Sequence, residues 1–218
     1  TIQHLKFTLD LFEKSDVCFA TGLFVRILLA SASERRGSIL RERFSNVQQV
    51  ALKGVDESVP REALSNQVQQ VVTRKANAVK HTDEYDVVIV ADTLVEDPDD
   101  AREALGKPTS KQEATTMLLR LRGCRHRVWS ATMVHALGKW QTSVEYALVE
   151  IENFSDDDLI ELIESESWVG KAGGYDLAGL MGQYAALVEG SEYTVLGFTQ
   201  SSLDYLDDVQ SLFSMNRS

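Results

Sequence analysis

Cysteine is scarce in this chain of 218 residues, which contains only Cys18 and Cys124. Two cysteines that lie far apart, without a CxxC spacing, predict reduced thiols of an intracellular protein rather than a disulfide framework. The four histidines form no HxxxH or HExxH pair, so a histidine zinc site is not expected. The sequence therefore offers no sign of a metal or disulfide scaffold.

Basic residues are outnumbered, with 22 Lys and Arg against 33 Asp and Glu and a net charge of −11. Surfaces that bind nucleic-acid polymers need an excess of cations, so this balance argues against such a partner. Long apolar runs are also missing, and residues 1–24 carry scattered charges that fit neither a signal peptide nor a membrane span. We expect a cytoplasmic protein with no membrane partner, in which residues 1–24 form a helical N-terminal extension.

What the chain does contain is an alternation of strand and helix patterns, with 44% hydrophobic and 25% charged residues overall. Helical periodicity, capping residues and β-branched runs together predict α/β architecture with antiparallel pieces. The predicted helices span 34–45, 61–80, 110–123, 155–165 and 200–213. The predicted strands span 25–30 and 85–95, followed by hairpins over 126–152 and 183–198.

The segment "SASERR", residues 31–36, places two arginines in the first turn of a predicted helix capped by Ser33. Cations there oppose the helix macrodipole, and a bound anion would remove the conflict. A plain N-cap with solvated arginines is the alternative, and the motif alone does not decide between them.

Asp92 follows the buried run "VVIVA", at the end of a strand where α/β sheets place ligands. A carboxylate there is costly to bury unless it is paired or metal-bound, although it could simply form a turn. Lys75 lies within an apolar helical stripe, where a lysine is either a ligand contact or a snorkelling side chain. Lys107 in "LGKP" and Lys171 in "GKAGGY" lie in loops, and neither segment matches a GxxxxGK[ST] phosphate loop.

Several motifs in one order resemble a known family. They are "LLASASERR", "VDES", "RKANAV", "VIVADTLV", "LGKP", "MLLRLRG", "VGKAGGYDLAG" and "EYTVLGF", within roughly residues 25–200. This pattern resembles the Maf-like nucleoside triphosphate pyrophosphatases, also described as septum-formation proteins. The resemblance implies a mixed, strongly twisted sheet flanked by helices, similar to the Ham1 inosine-triphosphatase fold. Residues 25–218 would then form a single domain with two lobes, a nucleotide cleft between them, and a homodimer as the common assembly.

The resemblance also implies roles for individual residues. Asp92 would be the proton acceptor, and Asp92 with Glu57 would hold a divalent cation, Mg²⁺ or Mn²⁺. Arg35 and Thr93 match the group that resembles dTTP and UTP hydrolases. The remaining contacts to the nucleotide would come from Ser31, Ser33, Arg36, Glu57, Lys75, Lys107 and Lys171.

The implied activity is hydrolysis of a nucleoside triphosphate, dTTP, UTP or a modified pyrimidine nucleotide, to monophosphate and pyrophosphate, with a housecleaning role. The alternatives are a nucleotide-binding regulator of cell division with little turnover and a pyrophosphatase for modified or methylated purine nucleotides. Glu34 stands where the family usually has proline. Ala178 in "YDLAG" replaces a glutamine linked to base selection. We expect Ala178→Gln to sharpen pyrimidine selectivity unless Asp176 or Gln183 reads the base.

Overall fold

The computed structural model describes residues 25–80 and 82–215, so the predicted extension over 1–24 lies outside the described residues. Within this part, seven strands form one sheet. The strands are β1 Ile27–Leu29, β2 Val47–Gln49, β3 Val87–Asp97, β4 Asp100–Leu105, β5 Arg125–Ala136, β6 Lys139–Ile151 and β7 Ala185–Glu189. The α-helices are α1 Glu34–Arg43, α2 Leu64–Ala78, α3 Lys111–Leu121, α4 Asp156–Glu164, α5 Glu192–Leu196 and α6 Gln200–Met215.

The sheet is mixed, with strand order β2-β1-β3-β5-β6-β7 and β4 paired to β3. β1 runs parallel to both β2 and β3, whereas β3, β5, β6 and β7 are antiparallel to their successive neighbours. This mixed sheet flanked by helices confirms the predicted fold class, and its division into two lobes stays a prediction. Among the described residues, no helix combines the length and apolarity needed to cross a membrane.

Strand β3 connects the hydrophobic clusters because alternate residues of a strand face opposite sides of the sheet. Ile89 and Ala91 pack in a cluster with α6, while Val90 packs in another cluster with Val68 and Val72 of α2. Farther along, Val95 belongs to a third cluster with α3 and α4. Residues 92–94 lie between these clusters and are only half-buried, so β3 presents them to the cleft described below.

Serine residues cap three of the helices, and the cap at Ser33 confirms the prediction. The side chains of Ser33, Ser110 and Ser155 accept hydrogen bonds from backbone N–H groups in the first turns of α1, α3 and α4. Only Ser155 forms a reciprocal capping box in this set, because the Glu113 carboxylate at α3 accepts from Thr109 instead.

The predicted hairpin over 183–198 is wrong in its second half. β7 ends at Glu189, and the following residues form helix α5 rather than a strand. Ser191 caps α5 by accepting from the Tyr193 N–H, and Gly197 ends it in the left-handed region with φ of 114°. These local capping signals outweigh the β propensity of the run "YTVL". β2 and β4 were also missed, because β2 has only three residues and β4 is largely polar.

Candidate active site

A cavity of about 770 Å³ opens beside β3, and we call it the central cleft. Its walls come from the β1–α1 loop, the segment before α2, the middle of β3 and the glycine-rich loop after α4. All ten predicted site residues line it: Ser31, Ser33, Arg35, Arg36, Glu57, Lys75, Asp92, Thr93, Lys107 and Lys171. The lining contains five cationic side chains and three carboxylates, Glu34, Glu57 and Asp92. The cleft is thus locally cationic in a chain whose net charge is −11.

The β1–α1 loop is held by side chains as well as by the helix cap. The Gln49 amide donates to the carbonyl oxygens of Ser31 and Ser33 at 3.0 and 3.1 Å. The Ser33 N–H donates to the Ser31 hydroxyl, and Gly37 leaves room for this clamp, since a Cβ there would lie 2.1 Å from Gln49 Oε1. Gln49 was not among the predicted site residues, because nothing in the run "NVQQV" marks one glutamine as a loop anchor.

Arg36 is buried, with 9% of its surface exposed. Its guanidinium donates to the carbonyl oxygens of Ala91 and Gly197 and to the hydroxyls of Ser31 and Thr93, at 2.8 to 3.3 Å. Burial lowers the pKa of Arg36 below its ordinary value, opposed by the nearby Asp92 charge. Arg36 therefore ties the β1–α1 loop to β3 and α5, and its contact with phosphate stays a prediction.

Asp92 lies in the middle of β3 and not at the carboxyl end of the strand predicted over 85–95, because β3 continues past it to Asp97. The extension arises because β3 pairs with β5 as far as Val95 and then turns into β4. Parallel pairing with β1 stops at Ile89, so Asp92 still lies beyond the carboxyl end of β1. This placement leaves its carboxylate facing the cleft.

Lys75 joins the two predicted metal-binding carboxylates. Its Nζ lies 2.5 Å from Asp92 Oδ1 and 2.8 Å from Glu57 Oε1. The side chains of Lys75 and Asp92 are only 13% and 14% exposed, whereas that of Glu57 is 59% exposed. Lys75 is thus a partner of the carboxylates in the cleft and not merely a snorkelling side chain.

The Thr93 hydroxyl belongs to a directed chain of hydrogen bonds. The Ser130 hydroxyl lies 2.7 Å from the carbonyl oxygen of Thr194, which can only accept, so Ser130 uses its proton there. In the 2.8 Å contact between Thr93 and Ser130, Thr93 must therefore be the donor. Thr93 also accepts from Arg36 at 2.9 Å, which leaves its hydroxyl with acceptor capacity alone toward the cleft.

The glycine-rich loop approaches β3 and β4 closely. Gly173 has φ of 70° and donates its N–H to the carbonyl oxygen of Gly106 at 2.9 Å. A Cβ on Gly173 would lie 2.9 Å from a methyl carbon of Val95, so a larger residue would push the loop away. This approach places Lys171 on the cleft wall.

Asp176 follows this loop and binds two of the predicted phosphate contacts. One carboxylate oxygen, Oδ2, lies 2.7 Å from Arg35 Nη2 and 3.0 Å from Lys171 Nζ. The other, Oδ1, accepts from the Ala178 N–H at 3.1 Å. Burial alone would raise the pKa of Asp176, but the Lys171 hydrogen bond and the Arg35 charge bring it below its ordinary value. From the sequence, Asp176 is expected only as a possible contact to the base.

Tyr175 and His126 form a buried pair behind the cleft. The Tyr175 hydroxyl lies 2.8 Å from His126 Nε2, and the two rings meet edge to face. Burial lowers the pKa of His126 to about 4 and raises the pKa of Tyr175 above its ordinary value. The imidazole is therefore neutral at pH 7. Its Nδ1 is buried without a hydrogen-bond partner among the residues that the structure describes.

The remaining polar positions differ in their distance from the cleft. Lys107 is exposed on its wall, and Glu34 is exposed at its edge, where Arg41 Nη2 lies 3.5 Å from the Glu34 carboxylate. Ala178 and Gln183 are exposed and do not line the cleft. The structure therefore brings together the predicted phosphate and carboxylate residues, whereas Ala178 and Gln183, two of the positions considered for base selection, lie outside the cleft.

The protein's donors fit a divalent cation only as part of a larger ligand set. Within residues 25–80 and 82–215, no group of three or more His, Cys, Asp or Glu side chains could hold a metal ion. Asp92 and Glu57 share Lys75 and supply hard oxygen ligands. Mg²⁺ commonly takes one or two carboxylates and completes its shell with substrate phosphates and water, so this pair fits such an ion once a polyphosphate is present.

The chain is similar to several known proteins. The family model described as Maf-like protein matches residues 26–206. The dTTP/UTP pyrophosphatase of Clostridium beijerinckii is 30% identical, over 84% of this chain and 97% of its own length. That of Desulforamulus reducens is 32% identical, over 81% and 92%. The solved structure of the Staphylococcus aureus Ham1 protein is similar with a TM-score of 0.42 and 14% identity, over 59% of this chain and 72% of that one.

Proposed function

The chain belongs to the Maf-like protein family, and we propose that it hydrolyses the pyrimidine nucleotides dTTP and UTP to monophosphate and pyrophosphate. The observation that carries this proposal is the position of Asp92. Its carboxylate is held by Lys75 inside a cleft that five cationic side chains line. A protein that only bound nucleotides would need the cations but no such carboxylate.

The cations account for recognition of the substrate. A nucleoside triphosphate carries about four negative charges, which must be offset before water can approach the α-phosphorus. Arg35, Lys107 and Lys171 lie on the cleft wall and can contact the phosphate chain. Ser31 and Ser33 present the capped N-terminus of α1, where backbone N–H groups favour an anion.

Asp92 accounts for the chemical step. Its Oδ1 contacts Lys75, so Oδ2 is the oxygen that can accept a proton from a water molecule placed against the α-phosphorus. Attack of that water forms a new P–O bond and breaks the bond from the α-phosphorus to the bridging oxygen, which leaves with pyrophosphate. The proton that Asp92 takes up is then released to solvent. Lys75 and Glu57 keep the Asp92 carboxylate in place during these steps.

A divalent cation belongs to this proposal. Asp92 and Glu57 would hold Mg²⁺ or Mn²⁺ together with phosphate oxygens. The ion would supply neutralisation of the charge that develops on the phosphates.

Thr93 supports the preference for thymine and uracil. Because its hydroxyl proton is donated to Ser130, Thr93 can only accept a hydrogen bond from a ligand in the cleft. Thymine and uracil carry an N3–H donor, whereas the N3 of cytosine is an acceptor. For a pyrimidine that presents its N3 atom to Thr93, the hydroxyl thus favours thymine and uracil over cytosine, which would leave two acceptors facing each other.

The proposal is tested by incubating the purified protein with dTTP, UTP, CTP, GTP and ATP, in the presence of Mg²⁺ or Mn²⁺. Pyrophosphate and orthophosphate are measured separately, because only attack at the α-phosphorus releases pyrophosphate. We expect pyrophosphate, with the highest kcat/KM for dTTP and UTP. Release of orthophosphate alone would contradict the proposed bond cleavage, and nucleotide binding without turnover would favour a regulatory protein.

Two further expectations concern partners. We expect a homodimer, which sedimentation velocity at several concentrations would detect. We also expect no affinity for nucleic-acid polymers, because the chain is acidic outside the cleft. A fluorescence anisotropy titration with labelled DNA and RNA at low salt tests the second expectation.

A further inference from the structure

Asp176 binds the same two cations that the substrate is proposed to use. Its Oδ2 bridges Arg35 Nη2 and Lys171 Nζ, as an oxygen of a phosphate group would. The three side chains are partly buried, with 21%, 31% and 17% exposed for Arg35, Lys171 and Asp176. Solvent therefore screens these contacts less than it screens ion pairs on an open surface.

Contacts other than those with Arg35 and Lys171 fix the orientation of Asp176. Oδ1 accepts the Ala178 N–H, and the preceding residue, Tyr175, is buried and contacts His126. Asp176 is thus held on the loop that carries Lys171, while Arg35 belongs to α1 on the other side of the contact. A polyphosphate that contacts Arg35 and Lys171 has to replace the Asp176 oxygen or share the two cations with it.

We propose that Asp176 is an internal counter-anion of the cleft: it occupies Arg35 and Lys171 in the free protein and is exchanged for a phosphate oxygen when substrate binds. This inference rests on the proposed function, because it assumes a polyphosphate ligand. It assigns Asp176 a role in specificity, since an anion binds at these cations only if its own contacts exceed those it displaces.

The consequence is that Asp176 weakens the binding of every polyphosphate, including the product pyrophosphate. Removing its charge frees Arg35 and Lys171 and lowers both KM and the dissociation constant of pyrophosphate. The opposite role, in which Asp176 stays in place and positions Arg35 for the phosphates, predicts that both constants rise. The direction of the change therefore separates the two roles.

The test compares the wild-type protein with Asp176→Asn, which keeps an oxygen for the Ala178 N–H but carries no charge. Isothermal titration calorimetry with inorganic pyrophosphate measures binding without turnover, and steady-state kinetics with dTTP gives KM. We expect both constants to fall by about 3- to 30-fold, in the range of one charge-assisted contact. Asp176→Ser, whose hydroxyl can also accept the Ala178 N–H, provides a second variant if Asp176→Asn does not fold.

The matched control is Glu164→Gln, which makes the same change in net charge at an exposed ion pair with Lys111 outside the cleft lining. Unchanged or increased constants in the Asp176 variants would overturn the inference, as would an equal decrease in the control. Failure of the proposed function gives a different result. The wild-type protein would then show no turnover, while the Asp176 variants could still bind pyrophosphate more tightly than the wild type does.

Discussion

Replacing Asp92 with asparagine is the most direct test of the proposed chemistry. The change keeps the size of the side chain and removes the charge that faces Lys75 at 2.5 Å. Lys75 retains its 2.8 Å contact with Glu57, so it is not left without a partner. Because the pair is neither fully exposed nor fully buried, we expect a loss of about 1 to 2 kcal/mol in unfolding free energy.

The expected effect on catalysis is much larger. Loss of a general base typically lowers the rate by about 10²- to 10⁴-fold, which corresponds to roughly 3 to 5 kcal/mol in the activation free energy. The phosphate contacts of Arg35, Lys107 and Lys171 are untouched, so the affinity for dTTP should change far less than kcat.

Pyrophosphate release measures kcat, and calorimetric titration of dTTP into the variant measures affinity. Thermal unfolding checks that the variant is folded. Glu164→Gln again serves as the control for net charge, and we expect wild-type kcat from it. A kcat for Asp92→Asn within a few-fold of the wild type would refute the assignment of Asp92. A loss of dTTP affinity equal to the loss of kcat would instead assign Asp92 to binding.

Four further changes separate structural from functional roles. Arg36→Ala should lower the free energy of unfolding by roughly 2 to 6 kcal/mol, because it leaves the carbonyl oxygens of Ala91 and Gly197 without this partner. Arg35→Ala should lower the free energy of unfolding less than Arg36→Ala does, because Asp176 keeps its contact with Lys171. It should raise the KM for dTTP by about 10-fold or more, as expected for one lost charged contact. The unfolded His126 imidazole takes up a proton near its ordinary pKa of 6.5, but the folded one does so only near 4, so folding stability is lost as the pH falls through this window. Between pH 6.5 and pH 4, the unfolding free energy of His126→Gln should therefore fall by about 3 kcal/mol less than that of the wild type, as measured by urea denaturation. Ala178→Gln should raise the ratio of kcat/KM for UTP to that for GTP.

Other outcomes would contradict three of these expectations. An Arg36→Ala protein as stable as the wild type would show that the four hydrogen bonds contribute little. A steep pH dependence that persists in His126→Gln would point to the carboxylates as its source. A ratio for Ala178→Gln that stays flat would mean that base selection arises within the cleft, as the exposed position of Ala178 allows.

The α/β class, the long helix over α2, the central strand and the β5–β6 hairpin could be predicted because apolar periodicity is a local property of the sequence. The strand β4 could not be predicted, because within the described part of the chain it pairs with β3 alone and carries polar side chains. Helix α5 lies in a segment that was predicted as a strand. Its residues favour either structure, and the cap at Ser191 stabilises the helix.

The site shows the same division. The sequence by itself identified ten residues that the structure brings together in the central cleft, because the motifs around Ser31, Asp92 and Lys171 have distinctive types and spacings. Only the tertiary structure decided which of these side chains contact each other. Lys75 lies between Asp92 and Glu57. Asp176 bridges Arg35 and Lys171. Such contacts join elements far apart in the chain, and hydrogen-bond and ion-pair energies depend on distances that only packing sets.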